Sequence, residues 1–389
     1  MINVILIISN LLILFQSLFC LRFRYEFRNS YCYIKTYGES GMRNLLMKFI
    51  ICDKIVIDKI LFLKAKKEQD MHNIGIQFVA KGQMEFFEIG EPPDPNPTQI
   101  LIRTYYSGIT NGTERHALMG DFGYGGGYPG RHGYQHVGVV EKAGNLVKEF
   151  KEGDIVFYGH YVGHRGWNIV DVSTPGVHLC MKLPSDVDHE ACALLGVIGV
   201  GMRHVRRVRV YPAQNVLVVG LGPIGQGSAQ SARAFGAYVT ALDINQKRLD
   251  VAKELGVQRC INVSDSTYMD QIKAYAPYNC IIDASGSPSL LEDIHKNHLL
   301  APRGVIGLLA VRGEITFRWG MLHLIEASIE VSCHFALDDL AIIMHFLRQG
   351  IMKISPMITH RVPITDAPNI YGIMRDNPSQ LLGVVFDWR

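Results

Sequence analysis

Three glycines and an aspartate form the clearest chemical pattern in this chain. Gly220, Gly222 and Gly225 follow the apolar run 216–219 in the spacing G-x-G-x-x-G, and a segment of helical character comes after them. Asp243 ends a second apolar run, eighteen residues beyond the last glycine. A glycine loop between a strand and a helix, with an acid at this distance, is typical of a dinucleotide-binding site. The glycines alone would also fit an ordinary strand-to-helix turn.

Each residue of the glycine loop has a physical role in holding a dinucleotide. Gly220 permits a tight turn, Gly222 lets the backbone approach the pyrophosphate, and Gly225 lets the helix pack closely on the strand. The helix N-terminus, next to Pro223 and Ile224, offers free N–H groups and a positive dipole end to the phosphates. We therefore expect all five residues to contact the cofactor.

Asp243 bears on the choice between NAD and NADP. Its carboxylate can accept hydrogen bonds from ribose hydroxyls and would repel a 2′-phosphate, so NAD is the predicted cofactor. Lys247 and Arg248 follow closely in the sequence and leave NADP open as an alternative.

Ser285 and Ala310 follow two later strand-like runs. Because ligands of such folds bind beyond the carboxyl ends of the strands, we expect both to contact the cofactor.

These residues need a parallel sheet to position them. From about residue 190, helical and strand-like segments alternate, which indicates a doubly wound parallel α/β sheet. The predicted strands are 216–219, 238–242, 280–283 and 305–309, and the predicted helices are 192–208, 226–235, 247–255, 289–299 and 340–349. Residues 71–180 hold short strand-like runs broken by turn residues, which predicts a mainly antiparallel β domain.

Composition narrows the class of protein. The chain has 389 residues, 48% of them hydrophobic, and a formal net charge of +3. A charge so close to balance argues against a protein that binds nucleic acid through a basic surface. The eight cysteines are widely spread and form no C-x-x-C pair. This spacing favours buried, reduced thiols in a cytoplasmic protein over a disulfide framework or a clustered zinc lobe.

The first seventy residues differ from the rest in composition. Residues 2–20 carry no charge and would span about 28 Å as a helix, just enough for a bilayer. No basic residue precedes this run, which disfavours a secretory signal, and the arginines that follow would keep the remaining chain in the cytoplasm. Three interpretations stay open: a translated upstream region before a start at Met71, a membrane anchor, or a targeting segment.

Several segments in order carry a resemblance to a known family. They are Ser107–Glu114, Gly133–Val140, Gly153–Val156, Gly220–Gly225, Ile358–Pro363 and Gly383–Asp387. Together they resemble the medium-chain dehydrogenase/reductase superfamily, which includes the zinc alcohol dehydrogenases. The resemblance implies a GroES-like catalytic domain over 71–188, an NAD(P)-binding Rossmann domain over 189–337 and a return to the catalytic domain over 338–389. It leaves 1–70 as a leader or non-domain segment, and it also implies a homodimer.

The chain departs from this family where zinc is normally bound. Thr110 with Asn111 stands at the position of the first ligand, a cysteine, and Tyr134 stands at the histidine of the family's G-H-E segment. Gln135 stands at its glutamate, and Val197 lies near the third ligand. Hydroxyls and a valine cannot replace thiolate and imidazole on a tetrahedral zinc ion. We therefore predict no zinc; the alternative is a rearranged metal site built from His116, His132, His136 and His160.

Without zinc, other groups must hold the developing alkoxide and move its proton. The resemblance places Thr113 at the hydroxyl that relays the proton, with His116 three residues further on. Tyr134, at a lost ligand position, would point its hydroxyl toward the nicotinamide, and His136 could serve as the base. Glu114 is expected to make a structural ion pair with Arg115 or Arg131.

The predicted function is a zinc-independent, NAD(P)-dependent oxidoreductase that interconverts a secondary alcohol and a ketone. The segments at 107–115 and 133–138 resemble the subgroup around bacteriochlorophyllide a dehydrogenase, whose name-giving member oxidises a hydroxyethyl group on a chlorin ring. Two alternatives remain: a quinone or enoyl reductase of the same superfamily, and a non-catalytic, nucleotide-bound structural or redox-sensing protein. The expected partners are a small alcohol or ketone and a second subunit, with no nucleic acid, and with a membrane only if 2–20 is an anchor.

Overall fold

The computed structural model describes residues 72–174 and 176–389. The predicted leader and its three interpretations lie outside these residues. The described strands are β1 (Ile74–Ala80), β2 (Gln83–Glu88), β3 (Gln99–Gly108), β4 (His136–Ala143), β5 (Ile155–Tyr158), β6 (Trp167–Asp171), β7 (Cys180–Lys182), β8 (Asn215–Val219), β9 (Tyr238–Asp243), β10 (Arg259–Asn262), β11 (Tyr278–Asp283), β12 (Leu300–Leu308), β13 (Ser328–Val331), β14 (Ile358–Pro363) and β15 (Gly383–Asp387). The described helices are α1 (Asn111–Met119), α2 (Leu195–Arg207), α3 (Pro223–Ala234), α4 (Gln246–Glu254), α5 (Tyr268–Lys273), α6 (Leu290–Lys296), α7 (Gly320–His323), α8 (Leu337–Arg348) and α9 (Ala367–Asp376).

A six-stranded parallel sheet carries the glycine loop. Its strand order is β10-β9-β8-β11-β12-β13, so the order reverses between β8 and β11. Val216, Leu217 and Val218 of β8 are fully buried, because helices cover both faces of such a sheet. A crevice opens at the carboxyl ends of the strands where the order reverses, and this is where doubly wound folds bind ligands.

A second sheet is built around β3. Its order is β14-β15-β3-β4-β5-β7, with β6 also paired to β3, and the pairs are antiparallel except β14 with β15. The last strand of the chain, β15, pairs with β3, near the beginning of the described chain. The predicted fold class, an α/β protein with a parallel Rossmann sheet and a mainly antiparallel β domain, is confirmed.

Helix α2 packs against the helix that follows the glycine loop. Val197 lies in its first turn, and its middle packs closely on α3, the helix that follows the glycine loop. A Cβ at Gly201 would lie 2.6 Å from the backbone nitrogen of Ser228, and one at Gly227 would lie 3.0 Å from the Cα of Ile198. Glycines on both helices therefore allow the close approach.

The main difference from the predicted elements concerns the glycine loop itself. Helix α3 begins at Pro223, three residues before the predicted start, because proline is favoured in a first helical turn. The sequence pattern also missed β10 and β13, which have only four residues each and contain polar side chains. Within the described part of the chain, no helix combines the length and apolar character needed to cross a bilayer.

Candidate active site

One cavity brings together the predicted site residues except His136. Its volume is about 670 Å³, and it lies at the carboxyl ends of the parallel strands and reaches the loop before α1. The predicted residues that line it are Thr113, His116, Tyr134, Gly220, Gly222, Pro223, Ile224, Gly225, Asp243, Arg248, Ser285 and Ala310. Residues predicted to bind a cofactor and residues predicted to act on a substrate therefore share a single space.

The glycine loop has the geometry of a dinucleotide cradle. Gly220 has a φ of +88°, a conformation that residues with a Cβ rarely adopt. A Cβ at Gly225 would lie 1.8 Å from the carbonyl oxygen of Gly220, so this position excludes any larger residue. A Cβ at Gly222 would meet nothing within 4 Å, which leaves open space beside the backbone at the N-terminus of α3. That space fits a phosphate group.

Asp243 is held in place at the edge of the cavity. One carboxylate oxygen accepts a hydrogen bond from the backbone N–H of Leu221 at 2.7 Å, and the other accepts from that of Asn245 at 2.8 Å. The guanidinium of Arg248 lies 3.8 Å from the first oxygen. These contacts join the glycine loop to the end of β9, and the carboxylate's remaining lone pairs are suited to ribose hydroxyls.

Asp283 and Arg312 hold the next two loops together, and neither was predicted as a site residue. One oxygen of the Asp283 carboxylate accepts hydrogen bonds from the N–H and hydroxyl of Ser285 and from the N–H of Gly286, at 2.8–3.0 Å. The other oxygen accepts from the guanidinium of Arg312 at 2.7 Å. The signal in the sequence is an aspartate at a strand end followed by small polar residues, the pattern of an Asx turn.

Hydrogen bonds through Gln135 link Thr110, at the position of the family's first zinc ligand, to Val197, near the third. The amide nitrogen of Gln135 donates to the hydroxyl of Thr110 and to the carbonyl of Gly108, both at 3.3 Å. Its side-chain oxygen accepts from the backbone N–H of Val197 at 2.8 Å. Thr110 and Gln135 are buried. Neutral groups that bond to one another in this way do not fit a zinc ion.

Tyr134 lies beside this set, at the inner end of the cavity. Its side chain is almost completely buried, packed against the rings of Tyr161 and His334 with centroids 4.8 and 5.0 Å away. Burial raises the pKa of its hydroxyl well above the usual value, and a hydrogen bond with Thr110 lowers it in part. The group therefore stays protonated at neutral pH and is available as a hydrogen-bond donor.

Thr113 and His116 line the cavity from helix α1. Thr113 hydrogen-bonds with Tyr124, a contact that partly offsets the rise in the tyrosine's pKa caused by burial. The Nδ1 of His116 lies 3.0 Å from a carboxylate oxygen of Asp121, and the guanidinium of Arg115 lies 3.5 Å from the same oxygen. The Asp121 carboxylate orients the imidazole of His116, as the aspartate of a catalytic triad orients its histidine.

His136 does not lie in the cavity, so its predicted role as the base is wrong. The residue is fully buried in the second sheet, and its Nε2 lies 3.0 Å from the carbonyl oxygen of Gly163. Burial lowers its pKa to about 3. The physical reason is that β4 begins at His136, so Tyr134 lies before the strand. The alternation of side chains along a strand therefore does not put Tyr134 and His136 on the same face.

Glu114 is structural, as predicted, but its partners differ. One carboxylate oxygen accepts from the backbone N–H of Thr110 at 2.7 Å, which fixes the start of α1. The other accepts from the hydroxyl of Tyr371 at 2.7 Å and lies 3.1 Å from the Nε2 of His164. The expected arginines lie elsewhere, because a carboxylate that is 1% exposed is reached only by side chains of the core.

Two aromatic residues of the cavity wall were missed by sequence reasoning. Tyr161 follows β5, and His334 follows β13 with a φ of +59°. Their ring centroids are 4.6 Å apart. The Nε2 of His334 lies 2.9 Å from the carbonyl oxygen of Gly159, and burial lowers the imidazole's pKa to about 4. Nothing local marks either residue, because they come together only when the two sheets pack.

The alternative metal site is not assembled in the described residues. His132 stacks on Phe78 with ring centroids 5.4 Å apart, and the Nε2 of His160 lies 2.7 Å from the carbonyl of Val177. Throughout 72–174 and 176–389, no three His, Cys, Asp or Glu side chains come together in a way that could hold a metal ion.

Two family profiles match the chain. The family described as alcohol dehydrogenase GroES-like domain matches residues 96–219, and the one described as zinc-binding dehydrogenase matches residues 223–348. The chain belongs to the zinc-type alcohol dehydrogenase superfamily. This membership confirms the predicted activity, that of an NAD(P)-dependent oxidoreductase acting on CH–OH donors. It also supports the predicted NAD(P) cofactor.

Named relatives agree with this membership. The chain is 27% identical to a probable D-xylulose reductase A of Aspergillus fumigatus over 76% of this chain and 92% of the relative. It is 26% identical to the sorbitol dehydrogenase of Bos taurus over 71% of this chain and 85% of the relative. A solved alcohol dehydrogenase from Escherichia coli, in complex with NADH, shares the fold with a TM-score of 0.70 at 20% identity, covering 81% of this chain and 98% of that one.

Proposed function

We propose that this protein is a zinc-independent, NAD-dependent oxidoreductase that interconverts a secondary alcohol and a ketone. The observation that carries the proposal is the hydrogen-bonded set of Thr110, Gln135 and the Val197 amide, which lies at and beside the family's zinc-ligand positions. The resemblance to the bacteriochlorophyllide a dehydrogenase subgroup supports a secondary alcohol, and the known relatives, a xylulose reductase and a sorbitol dehydrogenase, support alcohol chemistry in general.

The cofactor would be held by residues of the parallel sheet. Gly222 and the N-terminus of α3 would face the pyrophosphate, Asp243 would accept hydrogen bonds from the adenosine ribose, and the loops after β11 and β12 would line the nicotinamide end. A nicotinamide cofactor held there would supply the hydride transfer to or from the carbinol carbon. We propose NAD over NADP because a 2′-phosphate beside the Asp243 carboxylate would be repelled.

Tyr134 takes the place of a Lewis acid in this mechanism. Its buried, protonated hydroxyl donates a hydrogen bond to the substrate oxygen, which becomes negatively charged as the alcohol loses its proton. The alcohol proton passes to the hydrogen-bonded hydroxyls of Thr113 and Tyr124, which pass a proton on to His116, and His116, oriented by Asp121, releases it to solvent. Low dielectric around Tyr134 strengthens this hydrogen bond relative to one in water.

Metal analysis combined with an activity screen tests the proposal. We expect less than about 0.1 zinc per full-length chain, and NAD-dependent oxidation of secondary alcohols that survives prolonged chelation. One zinc ion per chain, or loss of activity that zinc restores, would contradict the metal-independent mechanism. Turnover restricted to quinones or enones would favour a reductase of activated double bonds instead.

We also propose a homodimer formed through the edge of the parallel sheet. Strand β13 is one of the two edge strands, and exposed side chains in it and in the segment before it include Trp319, Leu324 and Val331, which are 71%, 80% and 62% exposed. Exposed large apolar residues beside an unpaired strand edge favour association. Light scattering of the purified protein should give twice the chain mass, and Val331→Lys should shift it to the monomer.

A further inference from the structure

Two arginines outside the cavity, Arg131 and Arg165, lie close to each other. Arg131 comes before β4, Arg165 comes before β6, and neither lines the cavity. Gly163 brings their segments together, since a Cβ there would lie 3.0 Å from the Cβ of Arg131. Burial and the positive charge of Arg131 both lower the pKa of Arg165. The two guanidinium groups are therefore near enough to repel each other.

No carboxylate of the described residues neutralises this pair of arginines. The ion pairs formed among residues 72–174 and 176–389 involve other cations. The Nε of Arg165 is buried and has no hydrogen-bond acceptor there. A partly desolvated guanidinium without an acceptor is unfavourable, and a second positive charge beside it adds to the cost. An anion placed between the two groups would remove both causes.

Each of the two guanidinium groups is stacked on an aromatic ring. The Cζ of Arg131 lies 4.0 Å from the ring centroid of Phe87, and the Cζ of Arg165 lies 4.8 Å from that of Trp167. Stacking occupies the face of a guanidinium, fixes its plane and leaves the N–H groups at its edge available to an acceptor. The donors are thus oriented before any ligand binds, which lowers the entropy lost on binding.

Backbone hydrogen bonds hold the two arginine segments together. The N–H groups of Gly163 and His164 donate to the carbonyl oxygens of Gly133 and His132, at 3.1 and 3.2 Å. These bonds join the segment that follows Arg131 to the one that precedes Arg165. The spacing of the arginines is therefore set by the chain itself.

We infer that Arg131 and Arg165 form a binding site for a phosphate group, that of inorganic phosphate or of a small phosphate ester. The charge of a phosphate dianion matches the two guanidinium groups, and its oxygens suit the paired N–H groups at the edge of each. Because the site lies outside the cavity that contains the glycine loop, its ligand is distinct from the cofactor. The inference does not depend on the proposed alcohol–ketone function.

Phosphorus NMR titration of the full-length chain tests the site. Saturating NADH fills the glycine loop, and at about pH 8 a phosphate ester is a dianion. At constant ionic strength, inorganic phosphate should bind with a Kd of about 1 mM or lower. Tighter binding of glycerol 3-phosphate would assign the site to an ester, and equal or weaker binding would assign it to phosphate itself. Failure of both to bind below about 10 mM would overturn the inference.

Arginine variants locate the bound phosphate. Arg131→Gln and Arg165→Gln should each weaken phosphate binding at least about tenfold, because each removes one positive charge and its paired donors. Arg131 is exposed, so its variant tests the site even where the loss of Arg165 from Trp167 affects folding. Arg165→Lys keeps the charge without the planar group and should give an intermediate affinity.

Arg259→Gln is the matched control for these variants. Arg259 is also partly buried and stacks on an aromatic ring, that of Tyr275 at 4.0 Å, but it belongs to β10 of the parallel sheet. Its replacement should leave the phosphate affinity unchanged. Wild-type affinity in both Arg131→Gln and Arg165→Gln, or an equal loss in Arg259→Gln, would overturn the assignment.

Discussion

Gln135 and Val197 are joined by a hydrogen bond of 2.8 Å from the backbone N–H of Val197 to the side-chain oxygen of Gln135. The two residues come from different parts of the fold, the segment before β4 and the first turn of α2. The bond therefore ties the catalytic sheet to the helix that packs on the cofactor loop. It also gives a hydrogen-bond acceptor to a buried N–H near the start of α2 that would otherwise lack a partner.

Replacing Gln135 should destabilise the whole molecule. In Gln135→Leu, the Val197 N–H and the Thr110 hydroxyl lose a buried partner, so we expect the free energy of unfolding to fall by about 2–4 kcal/mol. Urea unfolding measures this change. Gln380→Leu, at an exposed glutamine, is the control and should change the free energy by less than about 0.5 kcal/mol. Equal values for the two variants would contradict the structural role of Gln135.

Removing the Tyr134 hydroxyl should slow the reaction without weakening cofactor binding. Tyr134→Phe keeps the ring packing but loses the donor to the substrate oxygen, so kcat should fall by about 10²–10³-fold. Steady-state kinetics and NADH fluorescence titration check the two parts of this prediction. Tyr158→Phe serves as a control, because Tyr158 is buried in β5 and does not line the cavity. A kcat within threefold of wild type would rule out the role given to Tyr134.

Gly222 should matter for the cofactor and not for the fold. A Cβ there would meet no protein atom within 4 Å, and the φ of −61° suits any residue. Gly222→Ala should therefore keep the wild-type melting temperature and weaken NADH binding at least about tenfold, because the methyl group would occupy the place of the pyrophosphate.

Gly372→Ala is the matched control for this experiment. Its Cβ also meets nothing within 4 Å, and it lies in helix α9, away from the cavity. We expect unchanged NADH affinity and a gain of up to about 1 kcal/mol in stability, since alanine favours a helix more than glycine does. Unchanged NADH affinity in Gly222→Ala as well would contradict the placement of the cofactor.

Acid should destabilise the protein because His136 is buried in its neutral form. The pKa of His136 is about 3 in the folded state, against about 6.5 in an unfolded chain. Above pH 6.5 neither state binds this proton, whereas between pH 6.5 and pH 3 only the unfolded state does. Stability is thus lost as the pH falls through this range, by about 1.4 kcal/mol per pH unit for each such histidine.

His136→Gln provides the test of this linkage. The variant keeps a donor near the Gly163 carbonyl and removes the titrating group, so the plot of unfolding free energy against pH should become shallower by about one proton between pH 6 and pH 4.5. The matched control is His345→Gln, which makes the same exchange at an exposed position on α8. Identical slopes for wild type and His136→Gln would show that His136 is not the group responsible.

The cofactor half of the site was predictable because its signal is local. The glycine loop, the strand before it and Asp243 lie within thirty residues, and each is required by backbone geometry. The substrate half depends on contacts between distant segments. Tyr161 and His334 are 173 positions apart in the sequence and meet only after both sheets fold. His136 was misplaced because the start of a strand, and hence the facing of its side chains, is set by pairing with β3 and β5.

The four hydrogen bonds to Asp283 have a consequence for the rate at which the enzyme meets its cofactor. The loops at Ser285 and Arg312 are fastened to one carboxylate by hydrogen bonds within the chain itself, so the entropy of ordering them is lost when the chain folds. Association should then resemble docking onto a rigid surface, with little conformational penalty left to subtract from the affinity. A protein built in this way can accept a new cofactor without rebuilding the site at each turnover.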